Sequence, residues 1–277
     1  MKANSKKKIL IIGANSFIGN HFLRNSRFAT YGTAKQKNNS LIKFNIFKNS
    51  IAGIINKIMP DYALICIKKK SHINKKKFFL KFKYLLKELN NNKIFPIFLS
   101  SDCVYDFKVK KFSYRETDAR KSKNEYANEK IKIENYIFKY FNNFLILRVG
   151  KVIGLDVNFR SLIGEWQKKI NQKKKIYVAT DQIINPIWIN DLTLVIDCLI
   201  KKNKIGIFNV SNGETITRFQ IFNRFLRKQK KKITYTANTI AKISKDKNKP
   251  LELRLNNNKI MKTINFKFKK VKDILIY

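Results

Sequence analysis

A hydroxyl, a phenol and an ammonium group able to act on one oxygen atom are the most telling chemistry in this chain. Ser101 follows the apolar run Ile94 to Leu99, and Tyr126 and Lys130 come later with four-residue spacing. On a helix that spacing puts both side chains on one face. A free tyrosine, with a pKa of about 10, exchanges protons poorly at neutral pH. A neighbouring ammonium stabilises the phenolate, by about 1.4 kcal/mol for each pH unit the pKa falls. Tyr126 would then pass a proton to or from a carbonyl or hydroxyl oxygen that Ser101 holds. Spacing alone carries little. With 50 lysines and 11 tyrosines in 277 residues, about two Tyr-x-x-x-Lys matches arise by chance, and Tyr31/Lys35 and Tyr126/Lys130 are the two found. The surroundings must decide.

Those surroundings alternate strand and helix. The patterning predicts strands at Lys8 to Ile12, Ala29 to Thr33, Ala63 to Ile67, Ile94 to Leu99 and Phe144 to Val149. Between them it predicts helices at Ser16 to Asn25, Ile51 to Met59, Asn74 to Leu89 and Asn124 to Tyr140. Continuous apolar strands separated by helices make a doubly wound parallel α/β sheet. Pro96 suggests that its strand lies at an edge or pairs irregularly. Further on, helices are expected at Ser161 to Asn171, Asp191 to Ile200 and Thr217 to Gln229. Short strands are expected at Ile176 to Val178 and Gly206 to Val210, a lysine-rich loop at Lys242 to Pro250 and a small helical cap from Asn258. The division expected is a nucleotide-binding domain over 1–160 and a smaller substrate lobe over 161–277, with elements near 190–212 returning to the first sheet.

The first strand runs into Gly13-Ala14-Asn15-Ser16-Phe17-Ile18-Gly19. Gly13 permits a tight turn, and Gly19 lets the helix pack closely on the strand. Amides at the helix start would face a pyrophosphate, and Ser16 would cap the helix and offer its hydroxyl to a phosphate. The candidate cofactor contacts are Gly13, Asn15, Ser16, Phe17, Ile18, Gly19, Lys35, Asn45, Ile46, Ile67, Tyr126 and Lys130. After the second strand no acidic residue stands where a ribose 2′-hydroxyl would be held. Lys35 or Lys37 would instead meet a 2′-phosphate, which favours NADP(H) over NAD(H).

Composition bounds the rest. The formal net charge is +42, and lysine greatly outnumbers arginine. Abundant Lys, Asn, Ile and Phe, all with A/T-rich codons, favour mutational bias and a solvated surface over nucleic-acid binding, which would favour arginine. The lysine runs at 68–70, 75–77, 173–175 and 230–232 are scattered. Either way a positive field draws in an anionic substrate. No apolar run approaches the roughly 20 residues of a membrane span. Cys66, Cys103 and Cys198 lack paired spacing, which suggests reduced thiols and a cytoplasmic location. With only His21 and His72, no metal site is expected.

An ordered series of motifs then carries a resemblance along nearly the whole chain. It comprises Gly13 to Gly19, Pro60 to Cys66, Ser100-Ser101-Asp102-Cys103-Val104-Tyr105-Asp106, then Tyr114, Glu116 and Asp118. Tyr126 and Lys130, Leu147-Arg148, Asp181-Gln182, Asn185-Pro186, Asp191-Leu192 and Lys249-Pro250 with Leu255 complete it. The chain resembles the extended short-chain dehydrogenase/reductases, in particular the dTDP-4-dehydrorhamnose reductase group and related NAD-dependent epimerases and dehydratases. The helix reads Tyr-Ala-Asn-Glu-Lys where that family has Tyr-Gly-x-Ser-Lys, and Ile67 and Lys68 to Lys70 stand where it has small residues. The resemblance implies a Rossmann-type fold with a smaller C-terminal substrate lobe, and Ser101, Tyr126 and Lys130 as the catalytic trio. It also implies NADP(H)-dependent reduction of a 4-keto nucleotide sugar, serving surface-polysaccharide precursors; a homodimer is one assembly open to it, though the sequence does not fix the oligomeric state. Epimerisation or dehydration with retained cofactor, and a non-catalytic nucleotide-binding subunit, are the alternatives. Asp102, Arg148, Gln182, Asn185 and Trp188 are the candidate substrate contacts. For several of them a plainer role competes. Asp102 would order its loop, Arg148 would pair with an acid and Trp188 would pack in a core, while Asp191 reads as a helix cap.

Overall fold

In the computed structural model, which describes residues 6–36, 40–69, 72–105, 113–122, 124–158, 161–229, 233–244 and 251–274, the run Ile9 to Ile12 is wholly buried. It forms β1 (Lys8–Ile12), followed by α1 (Phe17–Asn25), β2 (Ala29–Ala34), β3 (Ile42–Lys43) and α2 (Ala52–Ile58). Next come β4 (Tyr62–Ile65), α3 (Lys75–Asn91), β5 (Phe95–Ser101), a 3₁₀ turn (Asp102–Val104), α4 (Glu125–Tyr140) and β6 (Leu145–Val149). The chain continues through β7 (Lys151–Ile153), α5 (Leu162–Asn171), β8 (Ile176–Ala179), β9 (Ile183–Ile184), β10 (Pro186–Trp188) and α6 (Ile189–Lys201). It ends with β11 (Gly206–Val210), β12 (Ile216–Thr217), α7 (Arg218–Leu226), β13 (Tyr235–Asn238), α8 (Ile240–Ile243), α9 (Asn258–Ile264) and α10 (Val271–Ile274). Asp106, Lys37, Lys70, Lys230 to Lys232 and Lys249-Pro250 lie outside the described residues.

Seven strands form one sheet in the order β11-β6-β5-β4-β1-β2-β3. The pairs β2–β3, β1–β2, β1–β4 and β4–β5 are parallel. The order 3-2-1-4-5-6 within it is that of a doubly wound, Rossmann-type α/β fold, whose crevice lies beyond the carboxyl ends of the strands. Pro96 corrects the expectation of an edge strand, because β5 is flanked on both sides, by β4 and β6. The Phe95 amide bonds Asp61 O on the β4 side. Residues alternate direction along a strand, so the N–H that Pro96 lacks would face the other neighbour, at the opening end of the strand where pairing is only beginning.

Two units divide the chain: Met1–Ser100 with Glu129–Leu147 and Thr193–Ile207, and Ser101–Asn128 with Arg148–Leu192 and Phe208–Tyr277. The first unit's core packs Leu10, Ile12 and Ile65 with Phe82, Leu86, Phe98, Ile133 and Ile137. Its helices α1 and α3 start where side chains cap them, with Ser16 accepting from Gly19 N and Asn74 from Lys77 N; each such cap contributes about 1 kcal/mol. Helix α2 stops at Met59, which takes a left-handed conformation at φ 49° immediately before Pro60. The second unit's core centres on Trp166, edge-on to Phe222 at 5.0 Å, with Ile176, Val178 and Ile221. Thr217 and Gln220 cap α7 reciprocally.

Its short strands β7, β9, β10, β12 and β13 run two to four residues, too few for an alternation to be read in sequence. Helix α8 (Ile240–Ile243) takes in Lys242 and Ile243, the first two residues of the expected lysine-rich loop. Asp191 is also corrected. Helix α6 begins two residues earlier, and the Asp191 carboxylate accepts from Lys269 N instead of capping that helix. Among the described residues, no helix is long and apolar enough to cross a membrane, and no three His, Cys, Asp or Glu gather to hold a metal.

Candidate active site

The turn after β1 is built as its glycines require. Gly13 sits at φ +93°, and a Cβ on Gly19 would stand 2.6 Å from Gly13 O, so both positions exclude a side chain. Ala14 N donates to Thr33 O at 2.7 Å, tying the turn to β2. Ser16 accepts from Gly19 N at 3.2 Å and donates its hydroxyl proton to Gly13 O at 2.8 Å. It caps the helix as expected, but the proton expected to reach a phosphate serves the turn. Helix α1 leaves first-turn amides outside its own hydrogen-bond ladder, the arrangement that suits an anion.

Within the first unit this turn opens on a cavity of about 250 Å³. Gly13, Asn15, Ser16, Lys35, Asn45, Ile46 and Ile67 line it together, whereas Phe17, Ile18 and Gly19 do not. Lys35, Lys68 and Lys69 contribute cationic groups to the wall, and Phe44, Phe47, Ile73 and Phe78 contribute apolar ones. Phosphates suit the former and a flat base the latter. The turn, with no room for a Cβ at Gly13 or Gly19, fits the close backbone approach that a dinucleotide's pyrophosphate needs. The donor set therefore fits a dinucleotide.

Ser100 and Ser101 end β5 and take different partners. The buried Ser100 hydroxyl donates to Glu134 Oε1, and Glu134 is wholly buried. Ser101 Oγ donates to Asp102 Oδ1 at 2.9 Å and accepts from Cys103 N at 3.3 Å, capping the 3₁₀ turn. Burial raises the Asp102 pKa against the lowering effect of Ser101, Cys103 and Lys151. Helix α4 carries Tyr126 in its first turn, 39% exposed, and Lys130 one turn on. Lys130 is only 6% exposed, and its ammonium donates to Leu99 O at 2.7 Å and lies 4.5 Å from the centroid of the Phe98 ring. Burial lowers its pKa to about 8; Cys66, Glu134 and Glu129 act against this and Lys68 adds to it. Burial also pushes the nearby Cys66 thiol up to about 12, against the Lys130 charge and a hydrogen bond with Ser16. Ser101 and Tyr126 fall in the second unit and Lys130 in the first.

The remaining candidates are mostly frame. Arg148 is 1% exposed, donates through Nη1 to Tyr105 Oη at 2.7 Å and Glu116 O at 2.9 Å, and lies over the Tyr105 ring. Tyr105 in turn donates to Asn209 Oδ1. This corrects Arg148 as a diphosphate ligand, since its guanidinium fastens buried loops. Asn185 is corrected likewise. It is 1% exposed, its amide donates to Glu214 O, and its oxygen accepts from Leu255 N at 2.6 Å. Gln182 is 4% exposed, and its carbonyl receives Arg218 N at the start of α7. Asp102 is also buried and orders its turn. Trp188 ends β10 half-buried, packed against the second unit's core. Sequence reasoning missed Glu134, although its i+4 spacing from Lys130 was a readable signal. It also missed Glu129, whose Oε1 lies 3.5 Å from Lys69 Nζ.

Residues 73–275 match the family model of the RmlD substrate binding domain. No match was found among curated proteins. The chain is similar to a dTDP-4-dehydrorhamnose reductase of Bacillus anthracis in complex with NADP, at TM-score 0.83 and 16% identity over 98% of this chain and 97% of that one. A dTDP-4-dehydrorhamnose reductase of Clostridium acetobutylicum aligns at TM-score 0.79 and 18% identity, over 97% and 98% of the two chains. A UDP-glucose 4-epimerase of Thermotoga maritima with UDP-glucose aligns at TM-score 0.79 and 17% identity, over 97% and 96%. At these identities the likeness is one of fold. The family model spans well over half of the sequence, and the chain belongs to the RmlD substrate binding domain family.

Proposed function

We propose that this chain is a cytoplasmic, NADP(H)-dependent reductase of a 4-keto nucleotide sugar, of the dTDP-4-dehydrorhamnose kind, in the supply of surface-polysaccharide precursors. The observation that carries the reading is Lys130, a buried ammonium held at the Leu99 carbonyl one helical turn from the half-exposed Tyr126. Below its pKa of about 8 Lys130 keeps its charge and favours the phenolate of Tyr126. Tyr126 gives its phenolic proton to the sugar's carbonyl oxygen and becomes the phenolate that this charge stabilises, and Ser101 Oγ steadies that oxygen by turning its own proton away from Asp102 Oδ1. Gly13, Asn15 and Ser16 would hold the dinucleotide at its pyrophosphate, and Lys35 at a 2′-phosphate. When bound, that group supplies the hydride that completes reduction of the carbonyl carbon.

The test follows NADPH absorbance with a panel of 4-keto nucleotide sugars. Turnover is expected for at least one of them, and Tyr126→Phe should abolish it while titration with NADPH still shows binding. Retained turnover in Tyr126→Phe overturns the mechanism. The similarity to an epimerase at a TM-score equal to that of one reductase supports a second reading, epimerisation with retained cofactor. Oxidised cofactor carried through purification, with no net NADPH consumption, would favour it.

A further inference from the structure

The lysine run that leaves β4 differs from the described runs at 75–77 and 173–175, which are exposed throughout. Lys68 is exposed, as lysines ordinarily are. Lys69 is withdrawn from water, with a side chain 8% exposed and its Nζ 3.5 Å from Oε1 of Glu129, whose own side chain is 16% exposed. Glu129 stands on α4 immediately before Lys130. Two residues before Lys69, Ile67 lies so close to the turn that a Cβ on Gly13 would come within 2.8 Å of Ile67 Cγ2. Cys66, Ile67, Lys68 and Lys69 all line the nucleotide cavity. The ion pair therefore joins the helix that bears Lys130 to the segment that covers the glycine turn. An exposed pair would fix little. At this depth each charge is largely withdrawn from the water that would screen the other, so the attraction between them is stronger than at a surface.

We propose that Lys69 and Glu129 form a latch that sets how closely the 66–69 segment covers the glycine turn, so that dinucleotide affinity depends on the pair and not on either charge alone. This rests on the dinucleotide reading above. Both are positioning residues, acting through Ile67 and the cavity wall. The rival role for Lys69 is a simple cation for a phosphate, as its neighbours Lys35 and Lys68 would be. The two roles differ in sign. If Lys69 served as a phosphate cation, removing the Glu129 charge would free it and tighten binding. If the pair is a latch, the same change loosens the wall and weakens binding.

The experiment titrates the full-length chain with NADPH and with NADH, following nucleotide fluorescence at fixed salt. It compares wild type, Glu129→Gln, Lys69→Met, Glu129→Lys and the exchanged pair Lys69→Glu/Glu129→Lys, each checked for folding by thermal unfolding. The latch predicts about a tenfold loss of affinity in each single variant and recovery of most of it in the exchanged pair, a coupling typical of contacting residues. Unchanged or tighter binding in Glu129→Gln overturns it, as does an exchanged pair whose loss is the sum of the single losses. If a single variant does not fold, the exchanged pair decides, with near-wild-type affinity in support and a loss of tenfold or more against. A wild-type chain that binds neither nucleotide overturns the dinucleotide reading, and the latch with it. Binding by wild type that the variants leave intact overturns the latch alone.

Discussion

Replacing Lys130 with methionine should make the protein more stable at neutral pH while removing its activity, and the stabilisation should fade in alkali. In the folded chain burial lowers the Lys130 pKa from 10.5 to about 8. Below pH 8 the lysine is protonated in both the folded and unfolded chain, and the folded state bears the whole cost of holding a charge away from water. Between pH 8 and 10.5 the folded chain has released a proton that the unfolded chain keeps. Wild-type stability therefore rises with pH through that window. At about 1.4 kcal/mol per pH unit, the gain reaches about 2–3 kcal/mol by pH 10. Methionine has no such term, so its advantage over wild type should shrink by that amount between pH 7 and pH 10. The other lysines titrate alike in both proteins and cancel in the difference. Urea unfolding followed by circular dichroism at the two pH values measures it. A stability difference between variant and wild type that is the same at pH 7 and pH 10 would refute the reasoning, because it would mean that Lys130 holds an ordinary charge in the fold.

Arg148→Met should lower stability by about 2–4 kcal/mol, since Tyr105 Oη and Glu116 O lose a buried donor. Affinity of the folded protein for a nucleoside-diphosphate sugar should not change, and urea unfolding beside a titration with such a sugar nucleotide checks both. An affinity loss without destabilisation would return Arg148 to the ligand. Lys35→Glu should weaken NADPH by about tenfold or more and NADH far less, as expected for loss of one charge-assisted phosphate contact. Equal losses for the two nucleotides in a fluorescence titration would remove Lys35 from the 2′-phosphate.

The first sheet was legible because its signals are local. Ile9 to Ile12 could only be a buried strand, Gly13 and Gly19 fixed the turn, and Ser16 and Asn74 announced helix starts. Pro96 misled because an edge strand is the usual home for proline, whereas the ladder also tolerates it at an opening end. The second unit was harder to read, since strands such as Ile183–Ile184 and Ile216–Thr217 arise from tertiary pairing and leave no period of their own. The site divides in the same way. Tyr126 and Lys130 lie within one helical turn, so spacing revealed them. Arg148 and Asn185 look in sequence like residues awaiting a ligand, and only burial shows that backbone carbonyls, an amide and a phenol already engage them. The pairing of Lys69 with Glu129 joins residues far apart in sequence, which no local pattern encodes.

The depth at which the lysines sit records a history of the chain. If mutational bias towards A and T has spread lysine through this sequence, water decides where the result is tolerated. Among the described residues Lys130 is the one lysine in the buried class, and the Lys69 side chain is nearly as sheltered. Desolvation works as a filter against such drift: it tolerates substitutions at the surface and opposes them inside. A lysine kept behind that filter is one whose cost has been borne for a reason. In chains of this composition, sheltered lysines would separate selected positions from compositional noise where counting residues does not.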